Sequence, residues 1–172
     1  MSDVNRLHVL TAQRAALAHE LASAPGTLLT IPFLRHLGVQ SVRYVPGDAV
    51  LRLPIEAHLE NSFDMVHGGV TMTLLDVCMA MAARSVINES LAVSASSESH
   101  GVVTIEMKTT FMRPAKVDLG SKLVARGHLE HRTRSMAFTE GRVYDAEGQL
   151  CAVATGTFKY VVRRESANPS TD

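Results

Sequence analysis

Cysteine is scarce in this sequence: Cys78 and Cys151 are the only two among 172 residues. They lie far apart and match neither a CxxC motif nor a zinc-ligand spacing, so they read as buried, reduced thiols rather than as a disulfide or metal framework. The eight histidines show no metal-ligand spacing either. An excess of charge is also missing, because 17 basic side chains face 17 acidic ones. That balance provides no global field to hold a nucleic-acid backbone. The longest apolar stretch, residues 70–83, is interrupted by Asp76 and is too short to span a bilayer. The first residues lack the unbroken apolar core of a signal peptide, since Arg6, His8, Arg14 and His19 intervene. A cytoplasmic protein with no membrane or nucleic-acid partner is expected. Internal repeats, low-complexity tracts, a P-loop and a Ser-His-Asp set are all absent.

What is present suits one domain with a single core. Hydrophobic residues make up 46% and charged residues 20%, near the globular average. Apolar side chains recur at helical spacing through Val4, Leu7, Leu10, Leu17 and Leu21, and Pro25-Gly26 ends the run. A short helical piece follows over 31–37, closed by Gly38. Strand-like alternation comes next, with Ala49, Leu51, Leu53 and Ile55 on one face and Val50 and Arg52 on the other. Residues 68–86 form one long helix. Within 70–83, only Thr71, Thr73 and Asp76 break its apolarity. A helix apolar on nearly every side has to be surrounded.

Strands over about 101–112, 120–133, 135–146 and 149–162 supply the surroundings, separated by turn-forming residues. Small residues recur on single faces of these strands: Ala125 and Gly127, Ala137 and Gly141, Ala152, Ala154 and Gly156. They would let a helix backbone approach the sheet closely. The predicted architecture is therefore α+β, a curled antiparallel sheet around one central helix. An N-terminal helix is assigned to 1–27 and the main domain to 28–163. The polar tail, 164–172, is expected to be disordered.

Chemistry concentrates where the chain enters the central helix. Asn61 begins a segment that ends in His67-Gly68-Gly69, and Asp76 follows seven residues later. Glycines at a helix start leave backbone N–H groups free, and the helix dipole adds partial positive charge. Such donors can stabilise an oxygen that gains negative charge, although Gly-Gly alone also suits an ordinary turn. Asp76 is more demanding, because a carboxylate in an apolar helix costs several kcal/mol unless it is paired. Gly68 and Asp76 are separated by roughly 12 Å along the helix axis at about 1.5 Å per residue. One reacting group cannot touch both. If both act on one substrate, they come from different subunits of a two-fold dimer with antiparallel central helices.

The ordered set of Asn61, His67-Gly68-Gly69 and Asp76, then 103–107 (VTIEM) and 111–115 (FMRPA), resembles the PaaI-like branch of hotdog-fold acyl-CoA thioesterases. The resemblance runs from about Pro32 to Tyr160, with Gly156-Thr157-Phe158 matching the closing strand. It implies a hotdog fold and hydrolysis of an acyl-CoA to free acid and coenzyme A. Coenzyme A is then part of the substrate, and no separate cofactor or metal is required. Asp76 would be the nucleophile or the base that activates water. The partner's Gly68 N–H would form the oxyanion hole, with His67 and Asn61 orienting the thioester. Thr104 stands where relatives carry a hydroxyl that can position the water. Its place is awkward by alternation, because Val103, Ile105 and Met107 share the opposite parity. The segment 88–101 is longer and more polar than the family's usual link.

Eight basic residues against three acidic ones over 108–142 suit the phosphates of coenzyme A, and Arg132 and Arg134 are the first candidates because one turn presents both. A homodimer, paired into a homotetramer, is expected. A non-catalytic acyl-CoA-binding module is the competing reading, disfavoured because binding alone does not require Asp76. A hotdog hydratase lacks its His/Asp signature here.

Overall fold

The computed structural model describes residues 24–91 and 99–163. Of the N-terminal helix assigned to 1–27, residues 1–23 lie outside the described residues, as does the tail after 163. Thr27–Leu28 (β1) already belongs to the sheet, pairing with Gln40 and Ser41. The short helix α1, Pro32–Leu37, starts on a proline whose fixed φ suits a first helical position. It ends at Gly38, which adopts φ 77° and returns its N–H to the Arg35 and Leu34 carbonyls. Strands β2 (Gln40–Val45) and β3 (Asp48–Pro54) form a hairpin. A single 3-10 turn, Ala57–Leu59, leads toward the long helix α2, Gly68–Leu91. Four long strands complete the chain: β4 (Ser99–Phe111), β5 (Lys122–Arg132), β6 (Met136–Tyr144) and β7 (Leu150–Arg163).

Among the described residues the seven strands make one antiparallel sheet in the order β1-β2-β3-β5-β6-β7-β4. The chain leaves β3, runs through α2, and returns at the far edge as β4. The helix lies in the curl of this sheet and packs against β3, β4, β5, β6 and β7. Leu51, Leu53, Leu74, Leu75, Met79, Leu123 and Phe158 form the centre of the core. The stretch Gly68–Ile87 would pass for a membrane span on length and apolarity, but half of it is buried within the protein. The enclosing sheet accounts for that apolarity.

The small residues predicted to admit the helix do so. A Cβ on Gly127 would sit 2.4 Å from the Cys78 carbonyl oxygen and 2.8 Å from the Met79 nitrogen. The Cys78 thiol bridges the same contact, lying 3.2 Å from the Ala49 carbonyl and 3.3 Å from that of Ala125. Burial pushes this thiol up to about 12.

Two expectations need correction, and one strand face is more covered than alternation alone indicates. The helix continues to Leu91, five residues past its predicted end, and β4 begins at Ser99. The two ends of the long polar link, 88–91 and 99–101, are therefore helix and strand, with 92–98 outside the described residues. The outer face of β3 is also covered: Val50 is buried, and Arg52 is buried while bonded to Gln40 and the Ala24 carbonyl. Finally, the helix is not enclosed on every side. Met72 is exposed and Asp76, Val77 and Ala80 are only half-buried, marking a face that the described residues leave open.

Candidate active site

The loop before α2 is shaped by Asn61. Its Oδ1 accepts the Phe63 N–H at 2.8 Å and the Met65 N–H at 3.3 Å, while its own N–H reaches the Met65 carbonyl. This Asx-type turn accommodates Asp64 at φ 55°. The chain is then clamped on both sides, His67 N–H to the Leu59 carbonyl and Val66 N–H to that of Ala115.

His67 caps the helix twice. Its carbonyl accepts the Val70 and Thr71 N–H groups, and its Nδ1 accepts the Gly69 N–H at 2.9 Å. A neutral His67 therefore carries its proton on Nε2, on an exposed ring. Of the first four helical N–H groups, only that of Gly68 has no acceptor among the described residues. Gly68 borders a cleft of about 380 Å³ together with Asn61, Thr71, Phe111, Arg113 and Cys151. The Phe111 ring lies over Gly68, 3.4 Å from where a Cβ would be.

Two turns further along α2, Thr104 Oγ1 donates to Asp76 Oδ1 at 2.7 Å. The awkward parity of Thr104 is resolved by a bulge in β4: the register against β7 shifts between Thr104 and Glu106. An extra residue reverses the alternation, so Thr104 faces the helix before the bulge, and Met107 packs on the core after it. Val103 and Ile105, which share the parity of Met107 in the sequence, are 45% and 56% exposed. Asp76 itself is half-buried rather than enclosed, because the open face of α2 runs through it.

The predicted residues thus form two groups. Asn61, His67 and Gly68 gather at the helix start, and Asp76 and Thr104 pair near its middle, with one continuous helix keeping Gly68 and Asp76 apart. Arg132 and Arg134 form a third, exposed group at the β5–β6 turn. Ladder partners run Arg132, Ala137, Phe158, Thr104 across four strands, which sets Arg132 at the Asp76 end of the sheet. Three strand spacings make that separation roughly 14 Å. The Tyr160 hydroxyl is raised by burial and has the Arg132 guanidinium beside it, so Arg132 is partly engaged within the fold. The local excess of positive charge is offset in part by an acid outside the stretch, because Arg126 pairs with Asp48. Among the described residues no cluster of His, Cys, Asp and Glu is disposed to hold a metal ion. Thr71 is the cleft residue that sequence reasoning passed over, since a threonine in an apolar helix carries no distinguishing signal.

A curled antiparallel sheet around a single long helix, with a glycine-opened helix start and a carboxylate on that helix, defines a hotdog-fold protein. The model of the Thioesterase superfamily matches residues 63–152. Human acyl-coenzyme A thioesterase 13 is 30% identical over 122 residues, 70% of this chain and 79% of that protein. A mutant of the phenylacetic acid degradation protein PaaI from Thermus thermophilus superposes with a TM-score of 0.62 at 25% identity, covering 74% of this chain and 97% of that one. The E. coli PaaI protein, 18% identical, shares the fold with a TM-score of 0.66 over 88% of this chain and 93% of its own. The chain belongs to the thioesterase superfamily. It is a PaaI-like hotdog protein and a thioester hydrolase.

Proposed function

We propose that the protein is a cytoplasmic acyl-CoA thioesterase that works as a homodimer with two shared active sites. The observation that carries the mechanism is the Thr104–Asp76 hydrogen bond at 2.7 Å. It holds one carboxylate oxygen and leaves the other for water or for the thioester carbon, so Asp76 acts as base or nucleophile. The acyl-CoA substrate class is supported by the 30% identical human relative, whose name carries that activity.

The electrophile's oxygen needs a donor, and the free Gly68 N–H at the positive end of α2 suits it. Because Gly68 and Asp76 are roughly 12 Å apart on one helix, the donor comes from a second copy. The edge strand β4 favours such a copy. It pairs on one side only among the described residues, runs for 13 residues, and exposes Val103 and Ile105. A long apolar edge of this kind is normally covered. Antiparallel β4–β4 pairing would lay the open faces of two α2 helices side by side and bring one chain's Gly68 toward the other's Asp76. His67 fixes which N–H remains free, and Asn61 shapes the loop that presents it. Arg134, with Arg132, would meet the phosphates of coenzyme A at the Asp76 end. Pairing of dimers into a tetramer completes this reading.

The test is release of coenzyme A from a panel of acyl-CoA thioesters, followed by thiol detection. Turnover of at least one thioester that is lost in Asp76→Asn supports the assignment. Tight binding of the whole panel with no turnover would instead establish a binding module.

A further inference from the structure

We propose that Thr71 is a substrate-selecting residue, and that the cleft beside Gly68 takes a compact acyl group carrying a hydroxyl or keto oxygen. This rests on the thioesterase reading of the same site and extends it to the acyl group.

Thr71 is only 3% exposed, yet it borders the cleft. Its hydroxyl makes no hydrogen bond to any described residue, unlike that of Thr73, which donates to the Gly69 carbonyl at 2.9 Å. The hydroxyl is not sealed in the core either: among the described residues, the one sealed side-chain polar atom without a partner is Thr109 Oγ1. A nearly buried residue with an unsealed, unpaired hydroxyl at a cleft wall opens that hydroxyl onto the cleft. Leaving it without a partner in a ligand-filled site forfeits the hydrogen bond that water would otherwise give it.

The surrounding wall is mostly apolar, with Met65, Val66, Phe111 and Cys151 among its members. That lining suits an acyl group rather than the polar pantetheine arm, and a few placed polar groups then set orientation. Gly68 and Thr71 are three residues apart on one helix, so they share a face at roughly 5–6 Å. A carbonyl oxygen held by the Gly68 N–H therefore leaves room for a second oxygen, on the third or fourth carbon of the acyl chain, at the Thr71 hydroxyl. A plain hydrocarbon acyl group would strand that hydroxyl against carbon.

The experiment compares kcat/KM for matched pairs, such as 3-hydroxybutanoyl-CoA against butanoyl-CoA, in the wild type, Thr71→Val and Thr71→Ser. A wild-type preference of roughly three- to tenfold for the oxygenated member is expected from one hydrogen bond. Thr71→Val should bring that ratio close to one, and Thr71→Ser should restore it. No preference in the wild type, or a ratio unmoved by Thr71→Val, overturns the proposal while leaving thioester hydrolysis intact. Equal loss on both members would assign the hydroxyl to the pantetheine amide or to packing, and would also overturn it. Calorimetry with non-hydrolysable thioether analogues of the same pair reads the preference without turnover. It therefore tests the cleft even if these thioesters are not hydrolysed or the valine variant does not fold.

Discussion

Thr104 donates its hydroxyl to Asp76 across the space between β4 and α2, at 2.7 Å. The bond joins the edge strand to the central helix at the point where the helix face is open. It also orients a carboxylate that is held by no salt bridge among the described residues. Asp76→Asn preserves the shape and an acceptor for Thr104 while removing the base. Its kcat should fall by at least about a hundredfold, the scale of general-base catalysis. Thr104→Val should lower kcat by roughly tenfold with KM little changed, as loss of a charge-assisted hydrogen bond does. Thr104→Ser should recover most of that loss. Near-normal turnover in pure Asp76→Asn protein would remove Asp76 from the chemistry.

A shared site makes a different kind of prediction. Gly68→Pro deletes the free N–H at a helical position where proline is tolerated. Alone, it and Asp76→Asn should each be inactive. Co-expressed at equal amounts, they should form about half hybrid dimers, each with one intact site, and return roughly a quarter of wild-type activity. Hybrid dimers confirmed by mass and found inactive would rule out a shared site.

The helix–sheet approach can be tested independently of catalysis. Gly127→Ala places a methyl group 2.4 Å from the Cys78 carbonyl oxygen, where only backbone movement can relieve it. A loss of about 3 kcal/mol or more is expected, from overpacking against backbone. The same change at Gly101 meets the Val161 side chain at 3.7 Å, an ordinary contact, and should be tolerated. Thermal melts of both variants decide the matter. Similar Tm values would mean that the sheet is free to move away from the helix.

Alkaline pH should destabilise the fold through its thiols. Burial raises Cys78 from about 9 to about 12, so the unfolded chain releases this proton before the folded one does. The contribution is fully present below pH 9 and is lost progressively as pH rises toward 12. Cys151, raised by burial to about 11, acts in the same direction. Urea midpoints measured from about pH 8 to about pH 11 should fall, and less steeply in Cys78→Ala. An unchanged slope in that variant would show that Cys78 is not a source of the loss.

The apolar run of α2, the alternation of β5 to β7 and the small residues that face the helix were all legible, because burial imposes a period on side chains that the chain itself displays. Strands β1 and β2 were missed. They lie toward the solvated edge, where burial imposes no alternation, and most of their residues are exposed or half-buried. The segment Asn61–Gly69 was recognisable as a loop entering a helix. That Asn61 shapes the loop while His67 takes up three helical N–H groups rests on hydrogen bonds that residue types alone do not specify.

The sequence by itself determined the α+β class, the single central helix and the separation of Gly68 from Asp76, since each follows from helix or strand periodicity. Tertiary structure alone decided which way Thr104 points. One extra residue in β4 reverses the faces on either side of it, and such a bulge is set by pairing with β7, a strand some fifty residues away. It also decided that Thr71 borders a cleft while its apolar helical neighbours Leu74 and Leu75 lie in the core. Helical spacing gives a residue its face, but only the packing of the sheet determines whether that face meets side chains or open space.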